Sequence, residues 1–188
     1  VLPAIIILIC ALLLQILANL VNDVADFQKG TDKSGRLGPT RVTQSGLLSI
    51  HAVWTGAAVV ALLAAAGGLY LAIFRGWPVL VIGGVALVCA VLYTVGPFAF
   101  EDYGLGDLAA FLFFGFVTVC SATYILLGYL VPLSWLGGLG AGALVTAILV
   151  VNNVRDIESD TRAGRKNIPV RWGRKAGELE FLLMMILA

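Results

Sequence analysis

The sequence predicts an all-α protein built as a multi-span transmembrane helical bundle, and three observations predict it. Hydrophobic residues make up 60% of the chain and charged residues 12%, with a mean hydropathy of +1.00, far from the composition of water-soluble domains. The apolar residues fall in long runs, and a helix crossing a hydrocarbon core about 30 Å thick needs roughly 20 of them. The charges are segregated. Of the 12 Lys and Arg residues, all but Arg75 fall in polar blocks that an even number of spans returns to one side of the membrane. That bias predicts a cytoplasmic location for the crowded side.

The first span runs from Val1 to about Asn22 and carries no charge before its end. A polar loop from Phe27 to Ser45 follows, broken by Gly30, Gly35, Gly38 and Pro39. The second span covers about Leu47 to Phe74, and Arg75-Gly76-Trp77-Pro78 makes a short turn with an interfacial Trp. The third runs from Val79 to about Pro97, ahead of an acidic loop from Glu101 to Asp107. The fourth is Leu108 to Val131, closed by a Pro132–Trp135 turn. The fifth, Leu136 to Val151, leads into a second polar block, Asn152 to Gly177. A sixth apolar run starts near Leu179 and is too short to span, and the chain does not begin with Met. The expectation is therefore one partial membrane domain over residues 1–188. Cys10, Cys89 and Cys120 sit singly in apolar spans without CxxC spacing and read as small buried hydrophobes. Gly67-Gly68, Gly83-Gly84 and the cluster Gly137 to Gly142 predict close helix contacts.

The chemistry lies in the polar blocks. Asn19, Asn22, Asp23 and Asp26 are spaced i, i+3, i+4, i+7, which puts two amides and two carboxylates on one helical face. A carboxylate near hydrocarbon costs about 2.5–3.5 kcal/mol, so two on one stripe call for a reason. Gly30 offers a helix stop, and Asp32 follows among Lys29, Lys33, Arg36 and Arg41. The second block repeats the pattern. Asn152, Asn153, Asp156 and Asp160 lie within about 100° on a wheel of 3.6 residues per turn. Glu158 points away, Arg155 and Arg162 form a neighbouring stripe, and Arg165, Lys166 and Arg171 follow.

Carboxylates beside amides and cations suit Mg²⁺ together with a substrate diphosphate. The candidate metal ligands are Asp23, Asp26, Asp32, Asp156 and Asp160, of which Asp23, Asp26, Asp156 and Asp160 are also the catalytic candidates. Lys29, Arg41, Arg155 and Lys166 are candidates for binding the diphosphate, and Asn22 and Asn153 for orienting the ligands. Metal and cations on a leaving diphosphate lower the barrier to breaking its bond to carbon. Either stripe alone is also what a solvated helix end looks like; two of the same design predict one composite site. Tyr93, Phe98, Tyr103 and Trp172 are candidates to line an apolar tunnel or to stabilise a carbocation, whereas Trp77 and Trp135 read as interfacial anchors. His51 reads as a hydrogen-bonded packing residue. The lipid bilayer is an expected partner and nucleic acid is not. A cation-coupled transporter is the alternative class, although such sites sit near the membrane midplane on broken helices.

Three ordered motifs carry a resemblance. The first is Asn22-Asp23-x-x-Asp26-x-x-Lys29-Gly30-x-Asp32, continuing through Arg36-x-Gly38-Pro39-x-Arg41. The second is Tyr93-Thr94-x-Gly96-Pro97 with Gly104-Leu105-Gly106-Asp107. The third is Asn152-Asn153-x-Arg155-Asp156-x-x-x-Asp160-x-x-x-Gly164-x-Lys166, ending in Val170-Arg171-x-Gly173. Together they resemble the UbiA superfamily of intramembrane aromatic prenyltransferases, and within it the 1,4-dihydroxy-2-naphthoate branch of menaquinone synthesis. The resemblance implies a helical bundle around a central cavity, of which this chain would lack the first and last spans. It implies Mg²⁺ and a polyprenyl diphosphate at a cytoplasmic mouth, in a multi-pass protein of the cell's inner membrane. The acceptor would be a dihydroxynaphthoate-like aromatic that loses CO₂ on transfer; 4-hydroxybenzoate and homogentisate are the other acceptors such enzymes use. The chain departs from the family's pattern at Gly164-Arg165-Lys166-Asn167-Ile168-Pro169, where Gly-Lys-x-Thr-Leu is frequent, and at Val95, where Gly is common. Both departures bear on the acceptor rather than on the acids.

Overall fold

The computed structural model describes residues 1–30, 41–96, 99–100 and 103–188. Helices α1 (Leu2–Lys29), α2 (Ile50–Arg75), α4 (Gly106–Leu127) and α5 (Pro132–Arg155) are each long and apolar enough to cross a membrane. Helix α3 (Trp77–Leu92) is apolar but has only 16 residues. Three shorter helices close the chain: α6 (Ile157–Ala163), α7 (Ile168–Trp172) and α8 (Arg174–Leu187). No strand occurs among the described residues. The expected all-α membrane class is what the chain adopts.

The boundaries move for identifiable reasons. Pro132 opens α5 and Pro78 lies in the first turn of α3, although both were expected in turns. A proline at a helix start loses nothing, because its missing N–H would be unsatisfied there and its φ is already helical. The α2–α3 turn therefore shrinks to Gly76 at φ 90°, a conformation that favours glycine. Helix α3 stops at Leu92 instead of running to Pro97. Ser49 starts α2, its hydroxyl accepting the Ala52 amide at 3.2 Å.

The described residues form two compact units. The first comprises 1–30, 41–95 and 121–130; the second comprises 96, 99–100, 103–120 and 131–188. In the first unit α1 packs along α2, and α3 against both. Leu17, Val21 and Ala57 make one apolar cluster with Trp54 and Leu87, and Leu71, Ala72, Val79 and Ile125 make another with Ile6 and Cys10. Arg75 is tied down within this unit. Its guanidinium donates to the carbonyls of Ile125 and Leu126 in the last turn of α4 and lies 4.8 Å from the Phe74 ring centre. The arginine thus satisfies carbonyls that a helix end leaves open.

In the second unit α5 packs against α4 and α8. Residues Phe111–Val117 of α4 wind as a π-helix, and the glycines of α5 lie against that stretch. A Cβ on Gly115 would overlap the Gly138 carbonyl oxygen, and one on Gly142 would lie 2.6 Å from the Phe111 carbonyl oxygen. Gly138, Gly142 and Gly67 (against Cys10) permit close contacts as expected. Gly68, Gly83 and Gly84 do not, since an added Cβ there meets nothing within 4 Å. The three cysteines are unpaired and half-buried rather than buried. Large apolar side chains such as Leu62, Ile73, Ile148 and Ile186 stand on the outside, the surface a bilayer covers.

Candidate active site

In the first unit α1 runs unbroken through the Asn19–Asp26 stripe. It ends at Gly30, whose left-handed backbone (φ 67°, ψ 22°) lets its N–H reach the carbonyls of Asp26 and Phe27. The stripe then divides. Asn19 is exposed and accepts from Gln15 at 3.5 Å, while Asp23 and Asp26 are only 5% and 2% exposed. One guanidinium nitrogen of Arg41 donates to Asn22 Oδ1 at 2.8 Å and to Asp26 Oδ2 at 2.9 Å. The Thr43 amide donates to Asp23 Oδ2 at 3.3 Å. Asp23 Oδ1 is buried without a hydrogen-bond partner among the described residues. Lys29 donates to the Thr94 carbonyl at 3.0 Å, and half-buried Tyr93 caps the end of α3. The tie from Lys29 joins the acid-bearing end of α1 to the Tyr93-Thr94 motif. Asp32, Lys33, Arg36 and Phe98 fall outside the described residues.

In the second unit α5 carries Asn152 and Asn153 and is interrupted at Asp156 (φ −99°, ψ 14°), where α6 begins. The helical ladder survives the break. The Asp156 amide donates to the Asn152 carbonyl and the Asp160 amide to the Asp156 carbonyl, each at 2.9 Å. Asp156 accepts from Arg155 Nε at 2.8 Å and Nη2 at 2.6 Å, a forked pairing. Asp160 is buried and accepts from Asn167 Nδ2 at 2.8 Å and Arg165 Nη1 at 3.2 Å. Burial pushes its carboxyl above the ordinary range, opposed by Arg165 and Asn167. Glu158 is exposed, in keeping with its position off the stripe.

A loop ahead of α4 is latched onto this block. Lys166 Nζ lies 5.5 Å from the Tyr103 ring centre, and Arg171 donates to the Tyr103 carbonyl at 3.1 Å. Gly104 has φ 74°, and a Cβ there would overlap the Lys166 carbonyl oxygen. Two residues here stand in the motifs quoted from the sequence but were given no role there. Asp107, 7% exposed in the first turn of α4, accepts from Asn153 Nδ2 at 2.9 Å. Asn167 caps α7 by accepting the Val170 amide at 3.1 Å while holding Asp160. Asn167 had a readable signal, an amide one residue ahead of Ile-Pro at a helix start. His51 is exposed at the start of α2, so the packing role expected of it is corrected. Trp172 is also exposed.

Among the described residues no three of His, Cys, Asp or Glu gather as a ready ligand set. Magnesium does not demand such a cage: it takes one or two carboxylates and completes its shell with water and phosphate oxygens. Each cluster offers two carboxylates with amide oxygens, all hard donors, and Asp23 Oδ1 is a buried acceptor left open. The donor chemistry fits Mg²⁺. Two grooves of about 560 and 400 Å³ run along α5 and α8; the first carries Arg155, Arg174 and Glu178 beside apolar side chains, the second is apolar but for Asn152, and Asp107, Asp156 and Asp160 line neither.

The UbiA prenyltransferase family matches residues 1–188. The chain is 38% identical over 180 residues to the 1,4-dihydroxy-2-naphthoate octaprenyltransferase of Escherichia coli, covering 92% of this chain and 58% of that protein. It is 34% identical over 197 residues to the protein of the same name from Mycobacterium tuberculosis, covering 97% and 66%. UbiA prenyltransferase domain-containing protein 1 of Dictyostelium discoideum is 32% identical over 180 residues, covering 90% and 53%. The chain thus spans between half and two thirds of the length of these relatives. No solved structure matches it.

Proposed function

The chain belongs to the UbiA prenyltransferase family, and from that premise we propose that the protein transfers a polyprenyl group from its diphosphate to an aromatic acceptor with the help of Mg²⁺. The acceptor is 1,4-dihydroxy-2-naphthoate, and the step belongs to menaquinone or related quinone synthesis. The names of the relatives from Escherichia coli and Mycobacterium tuberculosis support that acceptor. One observation carries the proposal: two separate sets of buried or half-buried carboxylates, each with an amide and an arginine, stand at the ends of apolar helices.

The residues divide the work as follows. Asp23, Asp26, Asp156 and Asp160 are the metal-binding carboxylates, joined by Asp32. Mg²⁺ held there would neutralise charge building on the departing diphosphate. Arg41, Arg155, Lys29 and Lys166 bind the diphosphate oxygens, the arginines by forked contacts and the lysines as point charges. Asn22 and Asn153 hold the ligands in orientation, and Tyr93 borders the substrate. Breaking the allylic carbon–oxygen bond sends its electron pair to the diphosphate, and the electron-rich ring supplies the pair for the new carbon–carbon bond. The acceptor's carboxyl then leaves as CO₂, returning its bonding electrons to the ring. The acid-rich side is cytoplasmic, on the strength of the lysine and arginine bias. Family membership also weighs against a cation-coupled transporter.

The test supplies membranes containing the protein with polyprenyl diphosphate, Mg²⁺ and carboxyl-labelled dihydroxynaphthoate, alongside 4-hydroxybenzoate and homogentisate as competing acceptors. Pyrophosphate and labelled CO₂ are expected in equal amounts, together with a prenylated ring. Prenylated 4-hydroxybenzoate or homogentisate in place of the naphthoate product would overturn the acceptor assignment.

A further inference from the structure

Asn153 is an amide with two different ends, an oxygen that accepts and an NH₂ that donates. Its neighbour selects between them. An ionised carboxylate only accepts hydrogen bonds, so Asp107 compels the NH₂ end of Asn153 to turn toward it, at 2.9 Å from Nδ2 to Oδ1. Asp107 is itself held still. It is 7% exposed in the first turn of α4, and the loop before it is latched through Tyr103 and Gly104 to Lys166 and Arg171. With its NH₂ end engaged, Asn153 has its carbonyl oxygen left for whatever binds beside Asp156. An amide oxygen is a hard donor for a divalent cation, whereas an NH₂ group would repel one.

We propose that Asp107 is a positioning residue that fixes the flip of the Asn153 amide, so that oxygen rather than nitrogen is presented to the cation. This inference rests on the metal-binding reading above. It assigns Asp107 no contact with substrate or metal; the effect passes through Asn153, as supporting partners of metal ligands commonly act.

The experiment uses the full-length protein purified in detergent without substrate. Mn²⁺ serves as the probe, read by the electron paramagnetic resonance of the free ion, and thermal melts check folding. Asp107→Leu, similarly branched but without an acceptor, is expected to weaken Mn²⁺ binding about 10- to 100-fold. Asp107→Asn offers an NH₂ as well as an oxygen, no longer compels one flip, and is expected to fall between wild type and Asp107→Leu. Asp107→Ala combined with Asn153→Ala is expected to bind no more weakly than Asn153→Ala alone, because the two residues act as one. This cycle decides the matter if the leucine variant gives no cooperative melt. Wild-type affinity in Asp107→Leu and Asp107→Asn alike, or additive losses in the double variant, overturn the inference. If wild type binds Mn²⁺ and Asp156→Ala loses it while Asp107→Leu does not, only the role of Asp107 fails. If wild type binds no Mn²⁺, the metal-binding reading beneath it fails.

Discussion

Asp26 is a carboxylate at 2% exposure whose charge is met by an arginine 2.9 Å away. Removing one hydrogen-bonding partner of a buried charged group costs about 1–3 kcal/mol. Arg41→Ala should therefore lower stability in detergent by about 1–3 kcal/mol, and adding Asp26→Ala should restore part of it. A double variant no more stable than Arg41→Ala would contradict the pairing. Asn167 makes a second residue-scale case, since it donates to buried Asp160 and accepts the Val170 amide at once. Asn167→Ala should cost about 1–3 kcal/mol by taking one hydrogen-bond partner from each, read from the unfolding midpoint. At this scale the sequence was legible where chemistry repeats along one helix. Asp23, Asp26, Asp156 and Asp160 announce themselves by local spacing. Asp107 does not, because its partner Asn153 lies 46 residues away and no periodicity links the start of one span to the end of another.

Among the elements, long apolar runs were readable because length and hydropathy are local properties, and four of the expected spans form helices long enough to cross a membrane. Their ends were less readable. Proline marks turns and helix starts alike, and only the backbone settles which role Pro132 and Pro78 take. Glycine is ambiguous in the same way, since a run of glycines says that contact is possible and not where it occurs. Gly142 faces the Phe111 carbonyl oxygen at a distance no Cβ tolerates, whereas Gly84 faces open space. Gly142→Ala should destabilise by about 1–3 kcal/mol through overpacking. Gly84→Ala should be neutral or stabilise by up to about 1 kcal/mol, since alanine is the better helix former. Equal melting shifts for the two would refute the close packing of α5 on the π-helical stretch of α4.

For the whole molecule, charge placement is proposed to set topology and the acid clusters the chemistry. The side bearing the two polar blocks is proposed to be cytoplasmic. Cysteines placed at Ser45 and Gly164, in a background lacking Cys10, Cys89 and Cys120, should label only from the cytoplasmic side, and one at Gly76 only from the opposite side. Labelling of Gly164 and Gly76 positions from the same side would refute the topology. The central claim is that both acid clusters serve one metal-assisted prenyl transfer, although 130 residues separate Asp26 from Asp156 in the sequence. The most direct measurement is Mg²⁺-dependent pyrophosphate release from membranes given polyprenyl diphosphate and dihydroxynaphthoate, comparing wild type with Asp26→Asn and Asp156→Asn at matched protein levels. The account predicts a loss of about a hundredfold or more in each variant; wild-type turnover from either one would contradict it.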